Sequence, residues 1–337
     1  MTDRMRAWSV MSPGPMARHP LVLEDRPVPM PGPDEVLVRV RTCGVCRTDL
    51  HLCEGDLRPK RRGVVPGHQV VGVVTAAGEQ AGRFRLGDRV GIAWLRHTCG
   101  TCSACRAGKE NLCPHSRYTG WDDDGGFAEY CVVPEAFAYE LPPGLDDIQA
   151  APLLCAGIIG YRSLKRANVP PGGRLGIYGF GSSAHLTAQI ALAQGCELAV
   201  MTRGEGNRAL ARELGASYVG DAADAPPGRL DSAIIFAPAG DLVPVALRAL
   251  SPGGTLALAG IHMSQIPPMD YTECLFGERD LCSVTANTRQ DGEELLRLAE
   301  RLSLVSHTTS YGFDATSRAL TDLADGHLAG SAVIDLR

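Results

Sequence analysis

With 337 residues, a net charge of -5 and 45% hydrophobic residues, the chain is longer than one core usually supports, and two domains are expected. The charge balance leaves no basic field for nucleic acid, and no stretch approaches the roughly 18 apolar residues needed to cross a bilayer. No signal peptide is visible either, which places the chain in the cytoplasm, where 12 cysteines need a reason other than disulfides; metal is the first suspect.

Residues 1–156 read as short β segments between Gly/Pro turns. Val36–Val40, Val70–Val74 and Phe127–Val133 are strand-like, and the stretch Pro27–Pro33 is a turn-laden surface loop. Two groups of chemistry-bearing residues fall here. The run Cys43-Gly44-Val45-Cys46-Arg47-Thr48-Asp49-Leu50-His51 is followed by Pro66-Gly67-His68-Gln69, which supplies soft and borderline ligands with hydroxyl and imidazole groups close by. A catalytic zinc wants three protein ligands and an open fourth position, and these residues alone leave open which of them would serve. Between the two runs, Lys60, Arg61 and Arg62 read as a solvated loop.

Next come Cys99, Cys102, Cys105 and Cys113, spaced C-x2-C-x2-C-x7-C within 15 residues. Four thiolates on so short a loop close tetrahedrally around zinc with no open position, the mark of a structural site that holds a loop lacking a core of its own. An iron–sulfur cluster also takes four cysteines, but nothing else in the chain suggests an electron carrier.

From residue 157 the pattern changes to alternating strand and helix. Leu175–Tyr178 is a short buried strand, Ala184–Ala193 an apolar helix, Glu197–Met201 the next strand and Arg208–Leu214 the next helix, closed by Gly215. Ser232–Phe236, Leu242–Leu250 and Thr255–Leu258 continue the alternation, which predicts a parallel sheet covered on both faces. The turn Gly179-Phe180-Gly181-Ser182-Ser183-Ala184 fits G-x-G-x-x-G/A between a strand and an apolar helix. In that context it reads as a dinucleotide-binding turn, with the pyrophosphate at the helix N-terminus. The carboxylate that would select NAD about 20 residues onward is missing. Thr202 and Arg203 stand there instead, and a guanidinium suits the 2′-phosphate of NADP(H). Helix-forming Glu293–Arg301 begins a tail, residues 288–337, that returns to the first domain.

Together the run Cys46 to His51, the Gly67-His68 pair, the cysteine loop and the glycine-rich turn resemble the zinc-containing medium-chain alcohol dehydrogenases. The resemblance covers nearly the whole chain and is closest to a bacterial, propanol-preferring-like branch carrying Leu153-Leu154-Cys155-Ala156-Gly157 and Gly260-Ile261-His262-Met263. It implies an α/β protein, with a mainly β, GroES-like catalytic domain over 1–156, its structural zinc loop at 99–113, and a doubly wound Rossmann domain over 157–287. It implies two zinc ions per chain. Cys46, His68 and Cys155 would ligate the catalytic one, Cys43 would not, and Cys99, Cys102, Cys105 and Cys113 would hold the structural one.

In the same way the resemblance gives Thr48 and His51 a proton relay from the substrate oxygen, and gives Asp49 the task of orienting His68. Arg47 becomes a contact to the cofactor phosphate, because Gly330-Ser331 stands where relatives often carry Gly-Arg. Trp94 lines the substrate pocket, with Trp121 and Ile266 as weaker candidates, and its bulk favours primary alcohols or aldehydes over hindered ketones. Gln69 departs from the glutamate usual at that position and removes a negative charge near the metal. Relatives of this length point to a homo-oligomer, a tetramer or otherwise a dimer. Two other readings compete: a zinc-free enoyl or quinone reductase of the same superfamily, and a non-enzymatic NADP(H)-binding sensor.

Overall fold

The structure is a computed structural model that describes residues 4–328 and 330–337. The chain divides into two compact units, one of Met1–Cys155, Ala286–Glu300 and Ser306–Arg337, the other of Ala156–Thr285 and Arg301–Val305. The last segment differs from the sequence reading, which left it with the C-terminal tail. Within that unit the Gln189 amide accepts from Val305 N–H at 3.0 Å and donates to its carbonyl at 2.9 Å.

In the first unit, Glu35–Val45 is the spine of a seven-stranded sheet. It pairs antiparallel along its length with Gln69–Ala77, at its start with Tyr130–Pro134 and at its end with Ser331–Asp335. Thr308–Gly312 lies parallel to Ser331–Asp335, so the C-terminal tail is built into the catalytic sheet. Val36, Val38, Val40, Val70, Val74 and Ile92 are buried in its core, each contributing about 1.5–3 kcal/mol by leaving water. The strands are longer than their apolar runs, because polar ends still find ladder partners.

Register matters more than length here. Gly44 stands opposite Gln69, and a Cβ on Gly44 would lie 2.7 Å from the Gln69 amide oxygen, so any side chain there would have to push Gln69 aside. That pairing sets Cys46, just past one strand, beside His68, just before the other.

The second unit holds six parallel strands in the order Tyr218–Gly220, Glu197–Met201, Arg174–Tyr178, Leu230–Ile235, Leu250–Leu258, Asp280–Ser283. Counted along the chain this is 3-2-1-4-5-6, whose order reverses beside Arg174–Tyr178; ligands of such sheets bind in the crevice at that reversal. Helices Ser182–Ala193, Glu205–Glu213 and Leu242–Ala249 follow their strands within a few residues, as the alternating pattern predicts. No helix among the described residues is long and apolar enough to cross a membrane.

Candidate active site

Cys46 is the N-cap of a helix, Arg47–Glu54, in a stretch the sequence reading left without one. Its sulfur accepts the Thr48 N–H at 3.5 Å, and the Asp49 carboxylate accepts the Cys46 N–H at 2.9 Å. Such reciprocal capping stabilises a helix start and here fixes the direction of the sulfur. Asp49 is 2% exposed, so its charge has to be satisfied internally. Its other oxygen accepts from Gly67 N–H at 3.0 Å and stands 3.1 Å from His68 Nδ1. A carboxylate can only accept, so Nδ1 carries the proton and Nε2 is left as the donor atom.

Nε2 points at the third group. Cys155 sits on a single π-helical turn, Leu153–Gly157, between the helices Asp147–Pro152 and Ile158–Ala167. Its sulfur lies 3.3 Å from His68 Nε2 and 3.9 Å from Cys46 Sγ. Donors around a tetrahedral zinc at ordinary bond lengths stand roughly 3.5–3.8 Å apart, so the trio has the size and softness of a zinc site. Cys43, in spite of its spacing from Cys46, is fully buried with its sulfur against the Gly44 carbonyl at 3.6 Å, and the metal-sized group excludes it.

Protons are shared unequally in this group. The hydrogen bond from Cys155 outweighs burial and holds the Cys46 thiol well below its usual range, while the same contact and burial push Cys155 up. Burial works against a charged His68, yet Asp49 and Cys46 prevail and raise it to about 10. A divalent cation bound here would be held by the two sulfurs and Nε2, displacing whatever protons Cys155 and Nε2 carry.

Around the trio, Thr48 Oγ1 is 3.7 Å from Cys46 Sγ, and His51, on the same helix, has Nδ1 2.9 Å from the Asp56 carboxylate. Asp56 was not foreseen, though its place just past the Gly55 helix end is a local signal. Trp94 meets the His68 ring edge-on, centroids 4.9 Å apart, and stacks on Tyr118 at 4.9 Å and Trp121 at 6.0 Å. Trp121 therefore belongs to the wall beside the trio, and Tyr118 is a member that sequence reasoning missed. Gln69 is 3% exposed, a neutral amide next to the donors.

The sulfurs of Cys99, Cys102, Cys105 and Cys113 lie within 4.8 Å of one another. Backbone N–H groups of Cys102 and Cys105 point at the sulfurs of Cys99 and Cys102, at 3.3 and 3.4 Å, an arrangement that favours thiolates. N–H groups of Thr101 and Cys102 bring Cys99 down to about 5.

In the second unit Gly179 has φ of 85°, and a Cβ there would lie 2.9 Å from the Ala237 nitrogen. Gly181 caps the helix Ser182–Ala193 with open space where its Cβ would be, so a pyrophosphate has room to approach the backbone. Ser182 and Ser183 are half-buried on its first turn, and Phe180 is 2% exposed. Thr202 departs from expectation: it is 3% exposed, and its hydroxyl accepts from Phe180 N–H at 3.1 Å. It braces the glycine turn, which leaves exposed Arg203 as the outward-facing group. Ile266 is 38% exposed in this unit, and Ser331 is a buried residue of the catalytic sheet.

A three-donor soft metal group in one unit and a glycine-turned nucleotide crevice in the other make the protein a nucleotide-dependent dehydrogenase in class. Residues 32–143 match the alcohol dehydrogenase GroES-like domain, and residues 184–301 match the zinc-binding dehydrogenase family. The probable alcohol dehydrogenase AdhA of Mycobacterium tuberculosis is 57% identical over 99% of this chain and 98% of its own. Two solved structures are also similar. One is the cobalt- and zinc-bound thermostable alcohol dehydrogenase of Pyrobaculum aerophilum (26% identity, TM-score 0.88, 99% and 100% of the chains). The other is an NADP-bound putative zinc-binding dehydrogenase of Sinorhizobium meliloti (27%, 0.85, 99% and 99%). The chain belongs to the zinc-type medium-chain alcohol dehydrogenases, a family of oxidoreductases.

Proposed function

We propose that the chain reduces aldehydes and oxidises primary alcohols with zinc at Cys46, His68 and Cys155, preferring NADP(H). The observation that carries this is the convergence of two sulfurs and one imidazole nitrogen at 3.3 and 3.9 Å from chain positions far apart. Three donors leave a fourth position for the substrate oxygen, and Cys2His is the set known for alcohol dehydrogenases as a class. When bound, zinc supplies Lewis acidity that polarises that oxygen.

The chain's own groups do the rest. Asp49 keeps Nδ1 of His68 protonated and the ring still. Thr48 offers a hydroxyl beside the Cys46 sulfur, placed to hydrogen-bond the substrate oxygen and pass on its proton. His51, with 17% of its side chain exposed, carries the proton between that hydroxyl and solvent. The second metal group, Cys99 to Cys113, holds a structural zinc. NADP(H) preference rests on Arg203, exposed and adjacent to the glycine turn, with no carboxylate on the residue before it.

The test follows absorbance loss of NADPH and NADH over a panel of linear, branched and aromatic aldehydes, with zinc content measured on the same sample. Two zinc ions per chain, faster turnover with NADPH, and loss of that preference by about tenfold in Arg203→Ala are expected. Turnover that survives removal of all zinc would sink the zinc reading.

A further inference from the structure

The basic run Arg58 to Arg62 is not the plain solvated loop its sequence suggests. Lys60 Nζ lies over the ring of Trp121, 4.4 Å from its centroid, and Trp121 Nε1 donates to the Arg58 carbonyl at 2.9 Å. The loop is thus tied to the aromatic wall whose inner member, Trp94, touches His68. Its charges are unevenly matched. Arg61 pairs with Asp124, while Arg58, Lys60 and Arg62 have no ion pair among the described residues.

The acids at residues 122–124 are turned to other groups. Asp122 accepts the Tyr118 N–H at 2.9 Å. Asp123 pairs with Arg96 and Arg117, and Asp124 with Arg26 as well as Arg61. A ring face attracts an ammonium through its quadrupole without neutralising it, so Lys60 stands at the outer end of the wall with no carboxylate paired to it among the described residues.

We propose that Lys60 is a specificity-determining residue that favours aryl aldehydes carrying an anionic group on the far side of the ring from the carbonyl. The inference rests on the proposed function: the carbonyl oxygen sits at the Cys46–His68–Cys155 group, the aromatic ring lies along Trp94 and Trp121, and the anion meets Lys60. Arg58 and Arg62 add a field that raises the local concentration of anions and fades with salt. Because the lysine is exposed, it acts on capture of the substrate, in KM, more than on the hydride step, in kcat.

The experiment compares 4-carboxybenzaldehyde with its neutral methyl ester in the zinc-loaded enzyme, as a ratio of kcat/KM, for the natural chain, K60R, K60A and K60E. A ratio on the order of ten in the natural chain at low salt is expected, kept by K60R, lost in K60A and inverted in K60E, with the change in KM. A ratio near one in the natural chain, or one that K60E leaves in place, overturns the proposal, while reduction of the aldehyde in the methyl ester leaves the proposed function standing. Reduction of neither aldehyde, with either cofactor, overturns the function and this inference with it.

Discussion

The two metal-sized groups of the catalytic unit both draw on cysteine sulfur and are built in opposite ways. Cys99, Cys102, Cys105 and Cys113 come from one loop, and the N–H groups that steady their sulfurs belong to the same few residues. Cys46 and Cys155 stand 109 positions apart, and three separate devices bring the trio together: a helix cap, the Gly44–Gln69 register and a π-helical turn. On the proposed reading the loop group is completed by its metal, with the Glu110–Arg289 ion pair as another tie of the loop to the unit. The trio is gathered by the fold from three distant segments, and a site held that way can keep an open position.

That contrast predicts different losses. Removing one donor of the trio, Cys155→Ala, should lower kcat/KM by at least about a thousandfold, since polarising the substrate oxygen is worth several kcal/mol. Zinc should fall from two per chain to one, with little change in melting temperature. Cys102→Ala should also remove one zinc, but its main effect should be a fall in melting temperature of about 10 °C, several kcal/mol at this size. Metal analysis and scanning calorimetry on both variants check this. A Cys155→Ala protein that melts as early as Cys102→Ala would show that the trio, too, is built by its metal.

Asp49→Asn tests the fixed end of the comparison more gently. The amide keeps the shape but loses the charge shared among Cys46 N–H, Gly67 N–H and His68. Partners of this kind typically tune affinity or activity 10- to 100-fold, so a zinc-competition titration should show weaker binding at the trio by about that factor. The cysteine loop should hold its zinc as before. Unchanged affinity at the trio would mean that packing, and not Asp49, sets the His68 ring.

The same contrast explains what could be read from the residues alone. The cysteine loop is legible because all its ligands share one short segment, and spacing states the geometry. The parallel sheet is legible because each strand is a buried apolar run followed at once by its helix. Cys155 was reached only through family resemblance, since nothing local marks a π-helical turn that aims its sulfur at His68. The brace that Thr202 provides was out of reach for a related reason. Its position past the strand end is local, but its hydroxyl is taken by Phe180 N–H, 22 residues back. Tyr118, which stacks on Trp94 and Trp121, wall members already expected from the resemblance, escaped because ring contacts follow no period.

Cys43 gives the smallest effect and the cleanest check on spacing against placement. Together with Cys46 it has the C-x2-C pattern that reads as a metal pair, as Cys99 and Cys102 do. It differs in its surroundings: it is fully buried, its thiol is pushed well up by burial and the Asp49 charge, and its sulfur would lie 2.9 Å from a Cβ on Gly67. A group so held is a small apolar filler. Cys43→Ala should leave two zinc ions per chain and kcat/KM within about twofold, and should cost about 1 kcal/mol of stability for the space left by one sulfur. If zinc is lost from the trio instead, placement would have to yield to spacing, and Cys43 would take its place among the donors.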